Sequence, residues 1–468
     1  MNVFALKGAA YVVGLGSLKS NNPVGRMMMK EAKRTMSRCA LLSLMHALVL
    51  VILCCRVYAE PLYLPEGLKM VTAESRLVKI REQEEKTTEA DTLVARARLL
   101  PNVYASAGQS YLNNTPSVKL NNVHAPISQE NYYAYSAAVQ QILFDFMGTA
   151  SQYKASVALL DAKRLDTKRT RNLVALDFAF LYFDALESEK LIAVAEKEKE
   201  SLEAHLQVAR DLHSSGVITK NDLLQAEVKL SDAKQKLLTA QNLRRINGAR
   251  INTMLARSIS MPVELMEPAA ADREMISLEA AADKAEKERP EVQMVDTTMK
   301  GLGFEETARK SEYYPRFLAQ GGYNYTENRY QVYEGIWSVN LLMNINIFSG
   351  GATKAELDKI RSRKMTLAVQ KKKLLEDIRL ELEKYYLDCA NAKERIVVTK
   401  SAIAQSEENL RINKARYAEG VGLALDVTDA IALQSLAETN YYKSLYDYYR
   451  SEAGYLYAIG RELREAYQ

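Results

Sequence analysis

Few residues in this 468-residue chain are of a type and spacing that could do chemistry. Of four cysteines, Cys39, Cys54 and Cys55 fall in an N-terminal stretch expected to be removed, which leaves Cys389 alone and no intramolecular disulfide possible. Cys389 itself falls on a heptad ladder, where packing is the better reading than nucleophilic attack. His124, His205 and His213 show neither paired metal-ligand spacing nor a neighbouring nucleophile. The G-x-S-x-G, H-E-x-x-H, phosphate-loop and C-x-x-C patterns are all missing from the sequence, so it offers no site for hydrolysis, redox exchange, a metal or a cofactor. What remains is a set of carboxylates. Asp426 and Asp429 stand one helical turn apart just past the turn "EGVG", and Asp222 follows the related turn "SSGV". Carboxylates so placed can attract cations, or they can simply stabilise a helix N-terminus.

The elements that position them begin after a leader. "MMMKEAKRTMSRC" is a basic segment, "ALLSLMHALVLVILCC" is a 16-residue apolar run, and Val57-Tyr58-Ala59 offers a cleavage site. Residues 1–59 therefore read as a signal peptide with an over-long N-terminal extension ahead of it. A membrane anchor is the weaker reading, because about 20 apolar residues are needed to span. Leu53 before Cys54, and Cys54 before Cys55, do not supply the small residue that lipidation requires. The leader carries eight of the 63 Lys and Arg against Glu31 alone. The overall charge of +5 thus becomes −2 without it, which gives no argument for nucleic-acid binding. Only 10 Pro and 20 Gly are spread over the chain, so long uninterrupted elements are expected.

The chain is written twice. "LLPNVYASAGQSY" (99–111) matches "YYPRFLAQGGYNY" (313–325), and "ILFDFMGTASQYKAS" (142–156) matches "NIFSGGATKAELDKI" (346–360). Pro101 and Pro315 are 214 residues apart, whereas Phe144 and Phe348 are 204 apart. The first copy therefore holds ten extra residues, which fall in the polar stretch "NNTPSVKLNNVHAPISQE" and read as a surface loop. The halves divide at about residue 287. The first, 60–286, predicts a helix, strands 102–111 and 132–144, helices 148–213 and 219–256, and a linker 257–286. The second, 287–468, predicts a helix, strands 316–326 and 335–348, and helices 351–418 and 424–462.

The strands have two unlike faces. In "WSVNLLMNINIF", Trp337, Val339, Leu341, Met343, Ile345 and Ile347 alternate with Ser338, Asn340, Asn344 and Asn346, with Leu342 the one exception. Nine to eleven tilted residues suffice to cross a bilayer, and many of the 27 Tyr sit near strand ends, where membrane interfaces favour them. A soluble sandwich would alternate in the same way. Four strands cannot close a barrel, so several chains would have to pool theirs. The helices carry another period: Leu375, Leu382, Cys389, Ile396, Ile403, Leu410 and Tyr417 recur every seven residues, with Ile378, Tyr385 and Ala392 three positions on. Ala430, Ala437, Ser444 and Ser451 return at the same period with small side chains. The two signals together predict a membrane barrel continued by a cylinder of antiparallel coiled coils.

At residues 60–465 the chain resembles the TolC-type outer-membrane channel-tunnel proteins. The resemblance is carried by Leu99-Leu100-Pro101, Leu143-Phe144-Asp145, Ile347-Phe348-Ser349-Gly350-Gly351 and "RYAEGVGLALDVTDA" (416–430), in that order. It implies a mixed α and β membrane protein: a homotrimer in which four strands per chain close a twelve-stranded transmembrane barrel, with the helices forming a periplasmic tunnel. It also implies an exit duct in the outer membrane, used by an inner-membrane pump through a periplasmic adaptor protein for drugs, other small molecules or type I protein secretion. Carried over residue by residue, it makes Asp426 and Asp429 gate aspartates, Tyr417 a gate tyrosine and Asp222 the matching site of the first hairpin. It makes Gly216, Val217, Ile218 and Thr219, with Gly420, Val421, Gly422 and Leu423, the tips that meet the adaptor. Gly422 departs from the pattern, since some members carry a gate arginine there. Closure would then need other donors, with Lys220 and Asn221 as candidates beside Tyr417.

A periplasmic coiled-coil adaptor or a structural protein of an export complex is the competing reading. Two-faced strands fused directly to helices in both halves argue against it, and an enzyme has no residues behind it. Cargo is not legible, because the specificity of a shared duct resides in its pump.

Overall fold

The computed structural model describes residues 61–121, 123–268 and 275–467; the leader expected over 1–59 and its cysteines lie outside them. The chain opens with β1 (Pro61–Leu62), α1 (Leu64–Glu74) and α2 (Arg76–Ala97). It continues through β2 (Asn102–Tyr111), β3 (Ser117–Leu120), β4 (Val123–Pro126) and β5 (Asn131–Phe144) into α3 (Gly148–Ser214) and α4 (Lys220–Met254). After β6 (Glu264–Leu265), α5 (Leu278–Glu288) and α6 (Pro290–Lys310) come β7 (Arg316–Thr326) and β8 (Gly335–Asn344). The chain ends in α7 (Ala352–Ala418), α8 (Ala424–Ala458) and α9 (Leu463–Ala466). Helices α3 and α7 are each 67 residues long and α4 and α8 are each 35. At 1.5 Å per residue the longer pair extend about 100 Å.

Strands β2, β5, β7 and β8 form one antiparallel sheet in that order, so β2 and β8 are its open edges. Its register pairs apolar with apolar on one face: Val103 with Val139, Tyr323 with Trp337, Gly321 with Val339 and Phe317 with Met343. On the opposite face Ser106 meets Ser136 at 2.7 Å, and Gln320 donates to the Tyr104 hydroxyl at 2.9 Å. The period-two alternation is what sorts these sets, because successive side chains leave a strand on opposite sides.

Several boundaries depart from the sequence reading. The stretch expected as a plain loop in the first half contains the hairpin of β3 and β4, which pair from Ser117 with Pro126 to Leu120 with Val123. The linker expected over 257–286 holds β6, which pairs in parallel with β1, and the start of α5. Helix α8 stops at Ala458 rather than 462, because Gly460 turns left-handed (φ +86°) and its N–H bonds back to the Tyr457 carbonyl. Strand β8 ends at Asn344, four residues short of the expected 348.

Both strand-to-helix turns require two consecutive left-handed residues. Gly350 and Gly351 (φ +63° and +87°) meet this without strain, but Phe146 and Met147 (φ +51° and +68°) do the same work in the first half. The strained pair is held from both sides. The Phe146 ring stacks on Tyr314 with centroids 4.7 Å apart, and the Asp145 carboxylate accepts from the Thr149 N–H at 2.7 Å.

The helices share two cores. One surrounds Phe178, Tyr182, Phe183 and Leu186 in the middle of α3 and gathers α1, α5 and the end of α8. Burying side chains of this size contributes about 2–3 kcal/mol each, and Tyr182 donates its hydroxyl to the Leu62 carbonyl at 2.8 Å, so no polar atom is wasted. Arg289 clamps the same region. Its guanidinium bonds Glu291 and Glu381 and lies 4.8 Å from the Tyr457 ring centre. The second core, around Leu202, Leu206, Leu410 and Ile431, fastens the far ends of α3, α4, α7 and α8. Along α7 the buried and half-buried positions run Ile378, Leu382, Tyr385, Cys389, Ala392 and Ile396 at alternating spacings of four and three, the seam of a coiled coil. Among the described residues no helix is long and apolar enough to cross a membrane.

Candidate functional site at the helical tips

The two helical hairpins turn in closely related ways. Helix α3 ends as Gly216 goes left-handed (φ +75°), with its N–H on the His213 carbonyl at 3.0 Å and the Val217 N–H on Leu212 at 2.9 Å. Helix α7 ends at Gly420, also at φ +75°, with its N–H on Tyr417 at 3.1 Å and the Val421 N–H on Arg416 at 3.0 Å. These paired bonds satisfy carbonyls that a helix end otherwise leaves open. Gly422 is glycine for a different reason: a Cβ there would sit 2.9 Å from the Tyr417 backbone nitrogen. A side chain, arginine included, does not fit that turn without moving it.

The next helix starts on a carboxylate in each case. Thr219 and Asp222 form a reciprocal cap, the Thr219 N–H donating to the Asp222 carboxylate at 3.0 Å and the Asp222 N–H to the Thr219 hydroxyl at 3.3 Å. In the second hairpin Leu423 lacks a hydroxyl. There the Leu423 N–H donates to the Asp426 carboxylate at 3.4 Å and the Asp426 N–H to the Leu423 carbonyl at 3.1 Å. Asp222 and Asp426, both half-buried, thus act as helix caps within the chain, while Asp429 one turn on is exposed and takes no part in the cap. Lys220 and Asn221 are exposed beside the first cap.

The tips present apolar side chains to solvent. Val217, Val421 and Leu423 are 58%, 68% and 67% exposed, whereas Ile218 folds back onto the second core. Tyr417 does not face solvent as Asp429 does. It is buried in that core, its ring 5.0 Å from His205, and its hydroxyl finds no partner among the described residues. Burial raises the Tyr417 phenol above its ordinary range, and the nearby Asp222 charge adds to this. His205 is shifted down, first by burial and then by the Lys414 charge, and its Nε2 is likewise without a partner. Sequence reasoning missed His205; the signal was available, since it lies between Leu202 and Ala209, a heptad apart and both buried.

The remaining candidates for chemistry are not assembled into a site. Cys389 is buried on the α7 seam, and its thiol is pushed up to about 12 by burial and then by Glu452, which leaves it no nucleophile. His124 is exposed on β4, and His213 serves the Gly216 turn through its carbonyl. Among the described residues no three His, Cys, Asp or Glu side chains are grouped to hold a metal.

Comparison with known proteins fits this arrangement of sheet and helical hairpins. The model of the outer membrane efflux protein family matches residues 68–257 and 281–461, well over half of the sequence. The chain belongs to the outer membrane efflux protein family. It is accordingly an outer-membrane efflux channel of TolC type, a transport duct and not an enzyme. Solved structures share its fold at low identity. The outer-membrane channel OprN matches at TM-score 0.75 and 17% identity over 86% of this chain and 90% of its own. The CmeC outer membrane channel of Campylobacter jejuni matches at 0.75 and 14% over 85% of each chain. The outer membrane protein VceC of Vibrio cholerae matches at 0.75 and 14% over 85% of this chain and 96% of its own. No curated protein sequence matches the chain.

Proposed function

We propose that this efflux protein works as a homotrimer whose strands close a twelve-stranded barrel in the outer membrane, continued by a periplasmic tunnel of helical hairpins. The observation that carries the reading is one sheet with an apolar face, a polar face and two open edges, β2 and β8, joined directly to helices 67 residues long. Lone edges are a liability in water and intolerable in lipid, and closure with other copies removes them. The apolar face would meet outer-membrane lipid and the polar face the lumen.

In this reading the duct serves an inner-membrane pump through a periplasmic adaptor, which covers the exposed Val217, Val421 and Leu423 at the tips. Exposed apolar residues clustered at a glycine turn favour such a partner. Asp426 and Asp429, three of each around the axis, would form the acidic ring of the gate with Asp222 beside them. Tyr417 supports that gate by packing behind it. Drugs and other small molecules or secreted proteins are the candidate cargo, selected by the pump; no cofactor or nucleic acid enters the scheme.

The test is the mass and location of the mature protein. Detergent extracts of outer membranes should yield particles of three chains, and deleting the gene should abolish export through its pump. A monodisperse monomer, or recovery wholly in the soluble periplasmic fraction, overturns the reading.

A further inference from the structure

The place where β8 stops carries information about its neighbour. The two hairpins pair with the same offsets: Asn102 opposes Gln140 in the first and Arg316 opposes Asn344 in the second, 214 and 204 residues on. Under that correspondence β5 is the counterpart of β8, yet β5 runs on to Phe144 while β8 ends at Asn344 instead of at Phe348. The difference lies in what stands beside them. Strand β5 is paired on its far side with β7, from Ala134 with Thr326 to Ile142 with Leu318, and after a bulge Phe144 with Phe317. Strand β8 has no strand on that side. Its unformed extension leaves Ile347 and Phe348 90% and 86% exposed, on a segment whose alternation is that of a strand.

We propose that residues 345–348 complete β8 only against β2 of a second copy of this chain, in the register that β5 and β7 already adopt within one chain. This rests on the trimeric reading above. Carrying the β5 and β7 pairs over by the two offsets places Asn344 opposite Ser106 of the neighbouring copy, Met343 opposite Ala107, Ile345 opposite Ala105 and, after a bulge at Ile347, Phe348 opposite Val103. Polar then meets polar on the lumen face and apolar meets apolar on the other, whereas a slip by one residue would mix the faces.

The same register accounts for two residues that have no explanation inside the chain. Gly322 is confined by β5, since a Cβ there would lie 2.8 Å from the Ala137 carbonyl oxygen, and its opposite number is Ala138. Its counterpart Gly108 has nothing within 4 Å of an added Cβ. The seam puts Gly108 opposite Leu342, which with Ile336 is one of two large apolar residues on the polar face of β8. A bulky side chain on one edge strand thus faces a glycine on the other.

Paired cysteines read this register directly, because residues directly opposite in an antiparallel pair have Cα atoms about 4.5–5.5 Å apart, within disulfide reach, and diagonal ones are about 7–8 Å apart. The full-length chain would carry Asn344→Cys with Ser106→Cys, and, in separate preparations, Asn344→Cys with Tyr104→Cys or with Gly108→Cys. Outer membranes would be oxidised and run on denaturing gels, with Cys389 buried and silent. The expected result is a ladder to covalent dimer and trimer for the Ser106 pair, with at least tenfold less for the slipped pairs. Met343→Cys with Ala107→Cys, on the apolar face, provides a second in-register pair should the first assemble poorly. Detergent-extracted particles of three chains that cross-link best at a slipped pair, or at none, overturn the register and leave the duct standing. Particles of one chain overturn the trimeric reading beneath it.

Discussion

Tyr417 and His205 lie against each other with ring centroids 5.0 Å apart, deep in the core that fastens the helical tips, although 212 residues of sequence separate them. Each keeps a buried polar atom, the Tyr417 hydroxyl and His205 Nε2, without a partner among the described residues. A gate residue that works by donating its hydroxyl would need an acceptor, and the described residues of one chain supply none. In the gate proposed above, Tyr417 would then contribute through the volume of its ring.

Replacing the hydroxyl and replacing the ring should consequently differ. Tyr417→Phe removes an unsatisfied buried group and should leave stability unchanged or raise it by about 1 kcal/mol, with resting conductance unaltered. Tyr417→Ala should cost about 3–5 kcal/mol and raise the resting conductance as the tips loosen. Thermal melts and planar-bilayer traces check both, and a leak in the Phe variant would restore the hydroxyl as the closing group.

Acid should loosen the same core. Burial holds the His205 pKa below its ordinary value near 6.5. Above that value the side chain is neutral both folded and unfolded. As pH falls below it, the unfolded chain takes up a proton that the folded chain resists, so stability declines until the lowered folded pKa is reached. Lys414 opposes the charged form and reinforces the effect. Melting temperatures between pH 7.5 and 5 should fall in the natural protein and fall less in His205→Leu; identical slopes would remove His205 from the account.

The proposed acidic ring makes an electrical prediction. In a trimer, Asp426 and Asp429 would place six carboxylates around one narrow axis, where they would repel one another, attract cations and invite divalent block. Asp426→Ala with Asp429→Ala should abolish cation selectivity and divalent block in planar bilayers. Because Asp426 also caps α8, the double variant should lose about 1 kcal/mol of stability as well, whereas Asp429→Ala alone should change selectivity without that loss. Unchanged selectivity in both returns the aspartates to capping.

Tip glycines should separate docking from assembly. Gly420→Val forces a β-branched residue to φ +75°, and Gly422→Leu drives a Cβ into the Tyr417 backbone. Each should abolish export while trimers remain in the membrane, as measured by cargo efflux alongside detergent-particle mass. Export that survives both would move the adaptor contact elsewhere.

The Arg289 clamp offers a stability test remote from the tips. Burial alone would lower its pKa, but the bonds from Glu291 and Glu381 hold it above its ordinary range. Arg289→Ala strands two carboxylates, Glu291 among them buried, and should cost about 3–5 kcal/mol. Arg289→Met with Glu291→Leu and Glu381→Gln should recover most of it, as read from denaturant midpoints.

The architecture was legible from local pattern. Alternation in 337–343 marks a two-faced strand because side chains on a strand leave in opposite directions, and the heptad from Leu375 to Tyr417 marks a coiled-coil seam because a helix turns nearly twice in seven residues. The turns at Gly216 and Gly420 were legible because few residues other than glycine tolerate a left-handed backbone. Tertiary structure decided what periodicity does not encode. It set Tyr417 against His205 in the buried core, within reach of the Asp222 charge, and it made Asp222 and Asp426 caps while leaving Asp429 exposed. It also let Phe146 and Met147 hold a turn that glycines make in the other half, since Tyr314, far along the chain, braces the strain. Strand β8 shows the division most sharply: its sequence specifies strand through residue 348, yet a strand needs a neighbour to bond with, and an isolated chain provides none on that edge.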